Sequence, residues 1–251
     1  MAALSRQGLS NGLSTQLQRL AADMLALCSD PGDVPQALDL LNASYATPAA
    51  AAARARLQAD PAIEPLVRER YWGPWPELDR LASLPPGSLG HVYGHLLADQ
   101  GLEPLPPPEF PPGADGDAIY LQRRIRTCHD VWHAISGCPT TLAGEAALNG
   151  LTTEQLRWPG SALLLAADLI HRVHEAEIPG ASGVDVGLAI AYGLELGAST
   201  RSPLLAQRWE EGWERPLAAW REDLGLTALI ARNPFTTAVT AAALDQAGRI
   251  R

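Results

Sequence analysis

Cysteine is scarce in this 251-residue chain: Cys28, Cys128 and Cys138 are the whole supply. An odd number at irregular spacing excludes a disulfide framework, so these thiols are expected to stay reduced in a reducing compartment, and none is read as a metal ligand. Positive charge is also short, with 19 Lys and Arg against 28 Asp and Glu and a formal net charge of -9. Nucleic acid is excluded as a partner, because phosphate binding needs clustered cations, and adhesion to anionic lipid by charge alone is disfavoured. Long apolar runs are missing too. The best candidates, 158–167 and 233–244, are too short and too polar to span a bilayer, and no signal-peptide core follows Arg6. The expectation is a cytoplasmic protein whose contact with the inner or cytoplasmic membrane is peripheral. Period-two alternation is nearly absent as well, which leaves an all-α fold.

What is present is helical spacing punctuated by proline and glycine. Leu13, Leu17, Leu20, Met24 and Leu27 share one face of a helix starting near Ser10 or Ser14, and helices follow over 33–45 and 49–58. Segments 71–77 and 84–87 are too rich in Pro and Gly for regular structure. A helix over 88–99 stops near Gly101. The six prolines of 102–116 make an extended connection, either a plain linker or a loop that wraps a site. Further helices are expected over 117–136, from the Gly137-Cys-Pro139 break through Glu145 to about Asn149, over 161–177, through Tyr192 after a Gly-rich turn at 178–183, and as one long helix over 203–223. Trp209, Trp213, Leu217, Trp220 and Leu224 form a stripe on that last helix, facing the core or else a partner or membrane interface, and Pro216 either kinks it or starts a new helix. No repeat or boundary is visible. The chain reads as a single helical domain over 1–251, bundle-like, with a Pro-rich connecting loop and an apolar groove between helices.

In Cys128-His-Asp-Val-Trp-His133 the imidazoles of His129 and His133 stand at i and i+4, one turn apart on one face, with Asp130 only slightly round the helix. Glu145, beyond the break, can fold back as a fourth ligand. Two nitrogens and two carboxylates suit a divalent ion such as zinc, iron or manganese, whereas magnesium prefers more oxygen. The bland alternative is an exposed helix face with His133 stacked on Trp132. Arg126 projects onto the same face, either pairing with Asp130 or Glu145 or clamping a substrate carboxylate or phenolate; Arg124 points away. His91 and His95 repeat the i, i+4 spacing with no acid before Asp99, and His171 and His174 decorate a helix end, so neither pair is read as a metal site.

The pattern H-D-x-x-H-x11-E of His129, Asp130, His133 and Glu145 resembles the metal motif of the Coq-four family of ubiquinone biosynthesis proteins. Around it, Leu84-Pro-Pro-Gly-Ser-Leu-Gly90 with Tyr93, Arg126-Thr-Cys-His-Asp130, Gly137, Pro139-Thr140, Gly144, Trp209-Glu-x-x-Trp213-Glu-x-Pro216 and Arg221-Glu-Asp-Leu-Gly225 match in order over 84–226. The resemblance implies an all-helical protein that holds a divalent metal on those four residues, zinc by resemblance, with iron, manganese, cobalt or magnesium left open. It implies a metal-dependent oxidative decarboxylase that replaces the carboxylate at ring carbon 1 of a polyprenylated 4-hydroxybenzoate-derived precursor by hydroxyl. The alternative is a non-catalytic prenyl-lipid-binding scaffold that organises a ubiquinone biosynthesis complex. Implied partners are a polyprenylated quinone precursor, other ubiquinone biosynthesis proteins and further copies of the chain in a homo-oligomer. A His-Asp phosphohydrolase ranks last, because its additional ligands have few candidates here.

Overall fold

The 21 prolines and 22 glycines cut the chain where the spacing predicts. The computed structural model describes residues 6–110, 112–174 and 184–236. Among these there are twelve α-helices and no strand: α1 (Arg6–Ser29), α2 (Val34–Ser44), α3 (Pro48–Gln58), α4 (Glu64–Glu69), α5 (Leu78–Ala82), α6 (Leu89–Ala98), α7 (Gly116–Ser136), α8 (Leu142–Leu156), α9 (Pro159–His174), α10 (Val186–Ser199), α11 (Leu217–Asp223) and α12 (Thr227–Ile230). Side-chain caps set many of the starts. Asp33 accepts from the Gln36 N–H, Thr47 from Ala50, Ser88 from His91, Asp115 from Asp117 and Ala118, and Thr141 from Gly144. Each such cap contributes about 1 kcal/mol. Gly137, at φ 70°, closes α7 in the left-handed region that favours glycine.

Four expectations need correction. Helix α1 begins at Arg6, ahead of either serine, because no proline stops it earlier. The short helices α4 and α5 were not anticipated; both are single turns or little more, below the length at which a pattern shows. Helix α8 runs past Asn149 to Leu156 because no breaker intervenes. The long helix over 203–223 does not exist: Leu204–Ala206 and Trp209–Glu211 are single 3-10 turns and only α11 is α-helical. Pro216 lacks the N–H that a helix interior needs, and it instead precedes α11. The stretch before it is held in place by residues 87–90: Gly90 N–H donates to Trp213 O, Leu89 N–H to Arg215 O, and Leu217 N–H to Gly87 O. The tryptophan stripe is nevertheless buried, Trp209 completely, which makes it core rather than an interface. The turn expected at 178–183 and the helix beyond His174 fall outside the described residues.

Packing falls into two apolar clusters. The larger joins α3 to α8, α10 and the C-terminal turns; the smaller joins Leu20, Leu27 and Cys28 of α1, Leu40 of α2 and Ala167 of α9. Helices α8 and α10 meet backbone to backbone: a Cβ on Gly193 would lie 1.8 Å from Ala147 O. That crossing fixes α8, which carries Glu145. Arg124, turned away from the metal-bearing face, is fully buried against Glu210 (2.8 Å) and also donates to the Leu205 and Gln207 carbonyls, holding the irregular C-terminal turns onto α7. All three cysteines are free and buried. Burial pushes the Cys128 and Cys138 thiols up to about 12, so neither is a nucleophile at neutral pH.

Candidate metal centre

The break at Gly137 turns the chain so that α8 starts beside the last turns of α7. A Cβ on Gly144 would lie 1.8 Å from Pro139 O, so glycine is what permits α8 to begin this close to the turn, with Glu145 next in sequence. The Glu145 carboxylate reaches both imidazoles: Oε2 lies 3.2 Å from His129 Nε2 and Oε1 3.1 Å from His133 Nε2. The two Nε2 atoms are themselves 3.3 Å apart. His133 Nδ1 meets the Cys138 carbonyl at 3.0 Å, which makes Nδ1 the proton donor and leaves Nε2 as a lone pair facing the cluster. Asp130 completes the group, with His129, Asp130 and His133 offering ligand atoms within 4.8 Å of one another.

This donor set fits a divalent ion. Two nitrogens bound at about 2.0–2.1 Å in tetrahedral geometry sit about 3.3 Å apart, the separation observed between His129 and His133 Nε2. Burial opposes charging of His133, yet the Glu145 and Asp130 carboxylates raise its pKa above the ordinary histidine value. Burial likewise opposes ionisation of Glu145, and the two histidines overcome it, holding that carboxyl far below the usual range. Burial raises the Asp130 pKa against the pull of His129 and His133, and the Leu105 N–H gives Asp130 a backbone hydrogen bond.

That bond shows what the proline-rich connection does. Leu105 contacts Asp130, and Pro106 O accepts from Arg126 Nη1 at 3.2 Å, so the segment wraps the centre instead of merely linking helices. The Arg126 Nη2 donates to Asn42 Oδ1 of α2 at 3.1 Å. Of the two readings of Arg126, the pairing with Asp130 or Glu145 is absent among the described residues, because the guanidinium reaches across to α2 and the connection instead. Burial lowers its pKa. The His91 ring bonds to Ala82 O and His95 pairs with Asp99, so these two serve local structure.

A cavity of about 400 Å³ opens beside the cluster, walled by α1, α2, the proline-rich connection, α7, α8 and α9. Leu27, Leu38, Leu41, Leu105, Ile125 and Leu164 are among its apolar residues, while Arg126, His129, Asp130 and Glu145 lie together on its polar side. Sequence reasoning passed over Gln122, Asn149 and Asp168, which also line it. Two of them were within reach of the same arithmetic: Asn149 is four residues after Glu145 and Gln122 four before Arg126. Asp168 is a lone acid in an otherwise apolar helix face, and only the fold puts it at the cavity.

A family model described as coenzyme Q (ubiquinone) biosynthesis protein Coq4 matches residues 37–229, most of the chain. The chain belongs to the Coq4 family. The Coq4 match begins within α2, well before the 84–226 stretch where motifs are visible by eye. Among curated relatives, the mitochondrial ubiquinone biosynthesis protein COQ4 of Eremothecium gossypii is 31% identical over 60% of this chain and 45% of its own length. The corresponding protein of Talaromyces stipitatus is 32% identical over 61% of this chain and 50% of its own. The chain thus spans about half the length of the curated relatives it matches. A crystal structure from Nostoc punctiforme, assigned provisionally to ubiquinone biosynthesis, superposes with a TM-score of 0.69 at 28% identity, covering 86% of this chain and 97% of the other.

Asp168 gives this site a pH signature. Burial pushes its carboxyl up to about 7, with the Asn149 amide and His171 opposing the rise and Glu145 adding to it; Cys28 of α1 faces it as well. An unfolded aspartate titrates near 3.9, so the folded chain keeps a proton that the unfolded chain releases between roughly pH 4 and 7. The contribution is full below that window and is lost as pH rises through 7. Urea unfolding of the parent and of Asp168→Asn should therefore diverge: the parent loses up to about 1.4 kcal/mol per pH unit relative to the variant across the window. Parallel curves would show that the carboxyl is not held neutral.

Proposed function

We propose that this chain is a metal-dependent protein of ubiquinone biosynthesis that oxidatively decarboxylates a polyprenylated 4-hydroxybenzoate-derived ring, replacing the carboxylate at ring carbon 1 by hydroxyl. The observation that carries this reading is the opening of the His129, His133 and Glu145 cluster, with Asp130 beside it, directly into an apolar cavity that also exposes Arg126. His129, Asp130, His133 and Glu145 would hold the ion. When bound, it would supply Lewis acidity toward the acid group of the ring, and a redox-active metal would add oxygen chemistry that zinc lacks. Among the described residues Arg126 has no carboxylate partner, and its bonds to Pro106 O and Asn42 Oδ1 leave donors that would orient the acid group of the ring by charge-assisted bonds. The prenyl tail would lie along the leucines of the cavity and contribute most of the affinity, at about 0.8 kcal/mol per methylene-sized unit buried.

Turnover of purified, metal-loaded protein with oxygen and a prenylated 4-hydroxybenzoate tests the reading, product being followed by mass spectrometry. Loss of the carboxylate with gain of a hydroxyl supports it. Binding without turnover would favour the lipid-presenting scaffold instead. Arg126→Ala should depress turnover and binding of the carboxylated ring by about tenfold or more while leaving the decarboxylated ring within about twofold. Equal losses for both rings would end the clamp assignment.

No described helix is long and apolar enough to cross a membrane. Leu169 and Val173, four residues apart on α9, are both exposed, Val173 at 75%, and they suit shallow apolar insertion at a bilayer surface. With a net charge of -9, such contact should not depend on ionic attraction, so vesicle co-sedimentation should hold as salt is raised. A fall in bound protein with salt would reject insertion as the driving force.

A further inference from the structure

One turn beyond the metal cluster, the cavity wall carries polar groups that the centre does not use. Asn149 follows Glu145 by four residues on the same face of α8, about 6 Å along the helix axis, and both side chains line the cavity. From α9, Asp168 also reaches the cavity; its Oδ2 accepts a long 3.5 Å bond from the Asn149 amide. Asp168 is 6% exposed and Asn149 9%. No arginine pairs with Asp168 among the described residues; His171, three residues further along α9, is the basic group that acts on it. A buried acid with a long amide bond, near a half-buried histidine, costs stability that an apolar pair of similar size would not. The fold alone gives no reason for it, whereas a ligand oxygen would complete its hydrogen bonding. Across α7, Gln122 Oε1 is another buried cavity-wall acceptor, with no partner among the described residues.

We propose that Asn149 and Asp168 form a second polar contact for the bound ring, taking a neutral oxygen substituent, a hydroxyl or methoxy group, on the side of the ring away from the metal cluster, an assignment that rests on the prenylated-ring reading. The spacing supports it. Four residues of helix separate Glu145 from Asn149, about 6 Å, of the order of the distance between oxygens on opposite sides of a benzene ring. A ring whose acid group lies at the histidines and Arg126 therefore presents its far substituent to Asp168 and Asn149. The near-neutral carboxyl fits this partner, since it can donate to a methoxy or accept from a hydroxyl without placing a full charge against the ring. Rings bearing oxygen at that position would be selected over rings bearing only carbon and hydrogen, because an unmet buried polar pair penalises the wrong ligand.

The test compares two probes, a prenylated 4-hydroxybenzoate and the same prenylated benzoate without the hydroxyl, by equilibrium binding to the purified full chain with its metal content checked. The parent should prefer the hydroxylated ring about tenfold. Asp168→Leu should bring the ratio near one without weakening the unhydroxylated ring or changing metal content. Asp168→Ser keeps the pair polar but withdraws the oxygen from the ring, and it carries the same expectation should the leucine variant fail to fold. Asp168→Asn, which keeps hydrogen-bonding atoms in place, should retain a preference. A parent with no preference, or a preference that survives in both Asp168→Leu and Asp168→Ser, overturns this assignment alone. If neither ring binds the parent, the prenylated-ring reading falls and this one with it.

Discussion

His133→Ala is expected to abolish stoichiometric divalent metal while leaving helical content close to that of the parent. His133 is the most constrained member of the centre. It is completely buried, its Nδ1 is fixed by the Cys138 carbonyl, and its Nε2 faces both Glu145 and His129. Removing it deletes one of two nitrogens, and neither remaining carboxylate can substitute for imidazole toward a borderline ion. Helix α7 does not depend on this side chain, since its start is capped by Asp115 and its body is packed by Leu121, Val131, Trp132 and Ile135. The variant should therefore fold, with a cost on the order of 2 kcal/mol from the cavity and the unmet Cys138 carbonyl. Elemental analysis beside far-ultraviolet circular dichroism reads both quantities. Metal retained at parental stoichiometry would place the ion elsewhere. Comparing Asp130→Asn with Glu145→Gln extends the experiment: the larger loss of affinity marks the carboxylate that ligates, and the shorter contacts of Glu145 to the histidines favour it.

Glu210→Ala should destabilise the whole chain by about 3–5 kcal/mol, because it strands the Arg124 guanidinium in the interior. Both partners are essentially without solvent contact, at 1% and 0% side-chain exposure. Domains of this kind are stable by only about 5–15 kcal/mol, so the loss is a large share of the total and should appear as a marked drop in the denaturation midpoint. The pair itself adds little net stability over an apolar equivalent. Replacing both residues together, Arg124→Met with Glu210→Met, should recover most of what the single change loses. Because Arg124 and His129 share α7, metal release in Glu210→Ala should coincide with unfolding and not precede it. A midpoint within experimental error of the parent would show that water or a rearranged carbonyl satisfies Arg124.

Much of the centre was legible because helices obey simple rotation. His129 and His133 at i, i+4 had to share a face, Gly137 and Pro139 had to end α7, and Asp33 and Ser88 marked where two of the helices begin. Those are local properties, fixed by backbone geometry within a few residues. The partners of Arg124 and Arg126 were not legible. One is a glutamate 86 residues away and the other an asparagine 84 residues away, and no periodicity relates positions so far apart. The segment 203–223 misled for the same reason. Its tryptophans recur at helical intervals, but the hydrogen bonds that decide its path go to residues 87–90, across the molecule.

By itself the sequence determined the all-α class, the face that gathers His129, Asp130 and His133, and the role of the 137–139 break in returning Glu145 toward them. Only the tertiary structure decided that Glu145 bridges the two histidines, that the proline-rich connection wraps Asp130 and Arg126, and that Asn149 and Asp168 line the same cavity. The physical reason is range: rotation and capping act over one or two turns, whereas a cavity exists only where helices from distant parts of the chain fail to fill the space between them.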